Sequence, residues 1–154
     1  MLKKISNNLQ LIIAKQRHIK DIVAIEKESS PHPWTAEFFI SELSTRNSFF
    51  LVCVDKNDKL PVGYLIFRDQ IDFFEINNIV VIEEFRKKGI GRGMMDYLFE
   101  FSKDKGINEI FLEVRESNTG AIKFYNRLGF QVISRRESYY KNPTEDALIL
   151  KKII

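Results

Sequence analysis

One cysteine and two histidines stand among 154 residues, and their scarcity narrows the chemistry first. A single thiol, Cys53, has no partner for an intramolecular disulfide and cannot form a cysteine-only metal cluster. His18 and His32 lack metal-ligand spacing, and no histidine neighbours Cys53 in sequence, so no metal site and no Cys–His nucleophile is indicated. Cys53 sits inside the β-type run Phe49 to Val54 and reads as a buried structural thiol. No apolar run approaches the length needed to cross a bilayer. The run Leu9 to Ala14 is interrupted by Gln10 and closed by Lys15 and Arg17, and no small-residue cleavage site follows the basic start Met1-Leu2-Lys3-Lys4. That is not a secretory leader, and a cytoplasmic protein is expected. Like charges form no block: the formal net charge is +3 and the basic residues are scattered. Direct nucleic-acid binding is therefore not expected, although an RNA-rich partner is not excluded. Internal repeats, linkers and low-complexity segments are also missing.

What is present fits one domain spanning residues 1–154. A hydrophobic share of 44% and a charged share of 29% suit a soluble globular chain with a sizeable core. After the short strand Leu9–Ala14, the residues Ile19, Ile22, Val23 and Ile25 fall on one helical face, with Lys20, Asp21, Glu26 and Lys27 elsewhere. Ser29-Ser30-Pro31-His32-Pro33 ends that helix. Thr35 caps the next one, Trp34 staples against Phe39, and Phe38, Phe39 and Leu43 form its buried stripe. Ser48–Val54 and Val62–Arg68 read as a hairpin around the polar turn Asp55–Lys59. Phe73–Ile82 is a longer strand, with Phe73, Glu75, Asn77, Ile79 and Val81 expected on one face. A helix from Ile90 to Lys105 stops at Gly106, and Glu109–Arg115 is a strand with Ile110, Leu112 and Val114 inward. Asn118 caps a helix running to Leu128, which Gly129 and Phe130 close. Phe130–Arg135 and Ala147–Ile153 are the last strands, with the polar connection Glu137–Asp146 between them. The expectation is an α+β domain: a mixed, mostly antiparallel sheet of about six to seven strands flanked by about four helices.

Three of the seven glycines, Gly89, Gly91 and Gly93, fall within five positions between the Phe73–Ile82 strand and the helix. Glycine permits close backbone approach to a ligand, and a helix start offers unpaired N–H groups to an anion. With Arg86, Lys87, Lys88 and Arg92 around it, this turn suits a phosphate or pyrophosphate. It is not a P-loop, because Met94-Met95 follow Gly93 where Lys-Ser/Thr is required. It departs from the dinucleotide fingerprint too, since the last two glycines are two residues apart rather than three and Glu83–Lys88 separate the turn from the strand. Glu109 and Glu113 lie at a distance suited to a ribose-binding acid, which keeps that reading open.

Arg86-x-x-Gly89-x-Gly91 on a strand–turn–helix resembles the acetyl-CoA-binding motif of the GNAT superfamily of N-acetyltransferases. The likeness continues through Leu112-Glu113-Val114-Arg115-Glu116-Ser117-Asn118 and Ala121-Ile122-Lys123-Phe124-Tyr125-Asn126-Arg127-Leu128-Gly129-Phe130. These stretches are similar to the RimI-like branch, which acetylates alanine N-termini of ribosomal proteins. Pro33-Trp34-Thr35, Tyr139-Tyr140 and Glu145-Asp146-Ala147 match the same branch, so the resemblance spans nearly the whole chain. Its second half is specific; the first thirty residues add little.

The resemblance implies an acetyl-CoA-dependent protein N-terminal acetyltransferase that works in a ternary complex without metal. It implies Glu113 as base and Tyr125 as acid. Ile79, Val80 and Val81 would pair with the pantetheine arm, Arg86, Lys87, Lys88, Gly89, Ile90, Gly91 and Arg92 would take the pyrophosphate, and Asn118 would help hold the cosubstrate. Glu75, Tyr139 and Tyr140 would face the acceptor, and Glu75 is also a competing base. The chemistry is consistent: an N-terminal amine with a pKa near ~7.7–8.0 needs only a modest base, and a phenol suits late protonation of a departing thiolate. Taken from the residues alone, Glu113 reads equally as a surface strand glutamate, and Tyr125 as one member of a core stripe with Ile122 and Leu128. Asn77 stands where the family usually carries an apolar residue, and Lys141-Asn142-Pro143 replaces a usual Asp-Gly turn. Two other functions fit the same motifs: acetylation of a small amine, polyamine or lysine side chain, and a non-catalytic acyl-CoA-binding module.

Overall fold

The computed structural model describes residues 2–154; Met1, part of the basic start noted above, lies outside the described residues. In chain order the elements are β1 (Lys3–Lys4), β2 (Leu9–Ile13), α1 (Ile19–Ser29), α2 (Ala36–Ser44), β3 (Ser48–Asp55), β4 (Pro61–Asp69) and β5 (Phe74–Val81). Then come α3 (Ile90–Lys105), β6 (Glu109–Arg115), α4 (Thr119–Arg127), β7 (Gln131–Tyr140) and β8 (Glu145–Ile153). All the strands join one sheet in the order β1-β2-β3-β4-β5-β6-β8-β7, eight strands rather than the six to seven expected. The surplus is β1, two residues that pair with β2 at Lys3↔Leu11 and Lys4↔Gln10. A strand that short carries no periodicity in sequence. Every pairing is antiparallel except β5 with β6.

The centre of the sheet is apolar on both faces because helices cover both. Along β3, Leu51 and Cys53 face one core with α3 and α4, while Phe50, Val52 and Val54 face a second core with α1 and α2. Phenylalanines fill the first: Phe49 stacks on Phe67 at 4.9 Å and Phe101 on Phe74 at 5.6 Å. Phe39 anchors the second, edge-on to Tyr64 at 5.5 Å. Local chemistry sets the helix ends as the sequence indicates. Thr35 Oγ1 accepts from Phe38 N at 3.2 Å, a cap of about 1 kcal/mol. Trp34 packs on Phe39 at 5.9 Å and closer still on Phe38, at 4.1 Å. Gly106 takes φ +70° behind α3, and Gly129 takes φ +90° behind α4.

Three expectations change. Glu26 does not lie off the apolar face of α1; it is 2% exposed and accepts hydrogen bonds from the Tyr64 hydroxyl and from Asn78 Nδ2 at 3.2 Å. The shared face of Phe73, Glu75, Asn77, Ile79 and Val81 does not exist, because β5 carries a bulge at Asn77: Phe67 pairs with Ile76 and Ile66 with Asn78. The extra residue reverses the alternation, so Phe74 and Ile76 join Ile79 and Val81 at the α3 core. The connection Glu137–Asp146 is mostly strand, since β7 runs to Tyr140 and β8 begins at Glu145. Tyr139 and Tyr140 therefore end a strand instead of riding a loop.

Cys53 is fully buried, and burial, followed by the Asp55 charge, pushes its thiol up to about 12. The folded chain then keeps a proton that the unfolded chain releases above the ordinary thiol value, so stability falls as pH rises from about 9 to about 12. Urea unfolding across that window is expected to show a falling midpoint. Cys53→Ala is expected to lower stability at neutral pH and to make the alkaline fall shallower.

Candidate active site

The site begins where the only parallel pair stops. β5 and β6 match at Phe74↔Ile110, Glu75↔Phe111 and Ile76↔Leu112, and no further. β5 runs on to Val81 with β4 on its other side, so residues 77–81 have no strand partner on the β6 side. An unpaired strand edge offers its N–H and C=O groups to an extended ligand. The far end of this edge is fastened: Arg86 Nε donates to Val81 O at 2.8 Å, and its Nη2 reaches Ser29 Oγ on α1 at 3.5 Å. Arg86 thus places two of its guanidinium nitrogens on protein partners.

Beyond Arg86 the chain turns sharply, with Lys87 at φ +58° and Gly89 at φ +79°. Gly89 is the N-cap of α3, with no side-chain cap and no acidic residue in the first turn. The first backbone bond to the cap runs from Gly93 N to Gly89 O at 2.9 Å, which leaves the N–H groups of Ile90, Gly91 and Arg92 without intrahelical acceptors. A sixteen-residue helix directs its positive end here. Lys88 lies over the Phe85 ring at 5.0 Å, and Arg92 pairs with Asp96 at 2.9 Å. The other two glycines serve packing. A Cβ on Gly91 would stand 3.3 Å from Phe124 Cζ of α4, and one on Gly93 would stand 3.0 Å from Ile5 Cδ1.

Glu113 and Tyr125 lie on opposite sides of β6, Tyr125 carried there by α4. Tyr125 is 7% exposed, shares a core cluster with Leu112 and Val114, and lies edge-on to Phe130 at 5.5 Å. Burial raises its phenol above the ordinary value, so it keeps its proton. Asn118 is near in sequence, and its Oδ1 caps α4 by accepting from Ala121 N at 3.2 Å. Glu113 alternates with Leu112 and Val114 and points to the other face. Glu75 shares that face, because it sits opposite Phe111 in the parallel register. Its Oε2 accepts from Gln70 Nε2 at 3.0 Å.

β7 supplies the remaining groups. The Glu113 carboxylate beside the Tyr139 hydroxyl raises its pKa, with the Glu75 charge a smaller contribution in the same direction. Arg136 Nε approaches Glu113 Oε1 at 3.4 Å and lies 5.3 Å from the Tyr139 ring. Tyr140 is pushed up to about 12, by burial first and then by the Glu113 charge. Arg115 stacks on Tyr140 at 4.2 Å and pairs with Glu145 at 2.9 Å, while Arg135 pairs with Glu116 and Asp146. The end of the β7–β8 hairpin is pinned to the end of β6 on both of its strands. Two groups near the site escaped the sequence reading: Arg136 and the buried Glu26–Tyr64–Asn78 cluster. Glu26 carried a signal, since it follows Ile19 and Ile22 at core spacing. Arg136 carried none.

An unpaired strand edge leads to an uncapped helix N-terminus, with a carboxylate on one face of β6 and a phenol on the other, an arrangement suited to binding an extended ligand with an anionic end. The sequence model of the "Acetyltransferase (GNAT) family" matches residues 19–130. The chain belongs to the GNAT family and is an acetyl-CoA-dependent N-acetyltransferase. It is 30% identical to the [ribosomal protein bS18]-alanine N-acetyltransferase of Escherichia coli, over 82% of this chain and 84% of that one. It is also 30% identical to an N-alpha-acetyltransferase of Saccharolobus solfataricus, over 90% of this chain and 89% of that one. The crystal structure of the Escherichia coli ribosomal-protein-S18-alanine N-acetyltransferase superposes with a TM-score of 0.84 at 26% identity, covering 95% and 94% of the two chains. Among the described residues no group of three or more His, Cys, Asp and Glu is placed to hold a metal ion, and no helix is long and apolar enough to cross a membrane.

The unpaired edge depends on Gly63 of β4, where a Cβ would stand 2.6 Å from Val80 O. Backbone cannot yield as a side-chain tip can, so Gly63→Ala is expected to cost about 1–3 kcal/mol in urea unfolding. Gly93→Ala meets Ile5 at Cδ1, 3.0 Å, and at Cγ2, 3.2 Å, a side chain that must give way, and gains helix propensity of up to about 1 kcal/mol, so the two offset and it should be near neutral.

Proposed function

We propose that this enzyme acetylates the N-terminal α-amine, with alanine foremost, of a ribosomal protein or a similar short peptide, in the cytoplasm. The observation that carries the reading is the split across β6, with Glu113 on one side of the strand and Tyr125 on the other. Names of relatives support it: the curated proteins similar over most of this chain are alanine N-acetyltransferases and an N-alpha-acetyltransferase.

Acetyl-CoA supplies the activated carbonyl. The free edge of Ile79, Val80 and Val81 takes its pantetheine arm as an added strand. The N–H groups of Ile90, Gly91 and Arg92 receive the pyrophosphate, with Gly89 shaping the turn and Lys87 and Lys88 lending positive charge. Arg86 fixes the end of the edge, and Asn118 holds the start of α4 against the cosubstrate. Across the sheet, Glu75 receives the acceptor ammonium and Tyr139 and Tyr140 flank the peptide.

Glu113 removes a proton from that ammonium, and the neutral nitrogen attacks the thioester carbonyl. Tyr125 gives its phenol proton to the departing sulfur as the carbon–sulfur bond breaks, and the second proton that the nitrogen sheds on becoming an amide passes through solvent to restore the phenol. The α-amine pKa, near ~7.7–8.0, lets an ordinary carboxylate serve as base. A buried phenol that holds its proton at neutral pH is suited to act as the acid.

Tyr125→Phe is expected to lower kcat about a hundredfold, a usual size for a lost general acid, while the Kd for acetyl-CoA stays within about twofold. Wild-type turnover in that variant would remove Tyr125 from the reaction. Mass spectrometry of ribosomal-protein N-termini with and without the enzyme tests the acceptor, and unchanged N-terminal acetylation would overturn this assignment.

A further inference from the structure

Three arginines stand at the β6 and β7 ends, Arg115 and Arg136 on the Glu113 face and Arg135, opposite Leu148, on the other. Arg115 is held by Glu145 at 2.9 Å, and Arg135 by Glu116 at 2.7 Å and Asp146 at 2.9 Å. Arg136 differs. Its one carboxylate partner is Glu113, at the longer distance of 3.4 Å, and that is the group assigned to take the proton from the acceptor. When Glu113 does so it becomes neutral, and Arg136 loses its counter-ion while a new product forms beside it.

The Arg136 side chain is 53% exposed, so it is free to swing toward the acceptor instead of remaining at Glu113. A peptide whose amine lies against Glu113 advances roughly 3.3 Å per residue if extended. Its second and third side chains then pass within reach of the guanidinium. An acceptor carboxylate there would replace the lost counter-ion and draw Arg136 away from Glu113, leaving the base accessible. A lysine or arginine there would meet Arg136 as a like charge and would have to compete with it for Glu113.

We propose that Arg136 is a specificity-determining residue that favours N-termini with Asp or Glu at the second or third position over those with Lys or Arg. The proposal rests on the N-terminal acetyltransferase reading and on Glu113 as the base.

The test compares three short peptides that begin with alanine and differ only at the second residue, carrying Asp, Ala or Lys. The parent enzyme, Arg136→Gln and Arg136→Glu are each assayed at saturating acetyl-CoA, and kcat/KM ratios are taken within each enzyme. Partial loss of activity in a variant then cancels. The parent is expected to favour the Asp peptide over the Lys peptide by about threefold to tenfold. Arg136→Gln brings the ratio near one, Arg136→Glu reverses it, and KM for acetyl-CoA is unchanged in all three. Equal ratios in all three enzymes, or a parent that favours the Lys peptide, would overturn the role of Arg136 while leaving the N-terminal reading intact. Absence of α-amine product from every peptide, with lysine side chains or polyamines acetylated instead, would overturn the N-terminal reading and this proposal with it.

Discussion

The fold depends on a parallel strand pair that is allowed only three residue pairs. Parallel strands normally remain paired over their common length because an open edge leaves backbone groups unsatisfied. Here β5 and β6 part after Ile76 and Leu112, and the bulge at Asn77 falls where the pairing ends. A bulge bends its strand and re-aims the side chains beyond it. It therefore opens the sheet and also swings Ile79 and Val81 to the α3 face. The supports around it make the opening rigid. Glu26, Tyr64 and Asn78 knit α1, β4 and β5 together just after the bulge, and Trp34 N donates to the same carboxylate at 3.3 Å. Arg86 secures the far end at Val81. Glu26 has no cation among these partners, so its cost of burial is offset by donors alone. A buried carboxylate with several hydrogen-bond donors specifies geometry more than it adds stability.

The opening divides chemical labour between two faces. The α3 side is apolar and ends in a positive helix terminus, which suits a long thioester with a phosphate tail. The other side is charged: Glu145 and Glu113 have arginine partners, while Glu75 has only an amide. One uncompensated carboxylate is what a single incoming ammonium requires. β-alternation turns Glu113 away from Leu112 and Val114, while α4 packs Tyr125 into the core beside those two residues.

Features set by neighbouring residues were legible in the sequence, and features set by distant ones were not. The Thr35 and Asn118 caps, the stops at Gly106 and Gly129, and the β3–β4 hairpin each follow from the chemistry of a few adjacent residues. Strict alternation misplaced Asn77, because a bulge is decided by registration with β4 and leaves no local mark. Glu26 looked solvated until Tyr64, thirty-eight positions away, supplied its donor. For the candidate site, the motif residues were recognised by resemblance. Their electrostatic setting, with Arg136 and Tyr139 on Glu113, depends on how β7 lies beside β8 and was not readable.

The three glycines of the turn serve different ends. Together they suggest one flexible loop wrapped around an anion, but only Gly89 has a positive φ. Gly91 is small because Phe124 presses on the start of α3, and Gly93 is small because Ile5 does. Both contacts hold α3 in place from outside: one ties it to α4, which carries Tyr125, and the other to the N-terminal hairpin. The anion-binding character arises instead from what the helix start omits, a side-chain cap and an acidic first turn. Enlarging Gly91 would thus act first on Phe124 and, through α4, on Tyr125, the proposed acid, before it acted on the N–H groups at the helix start.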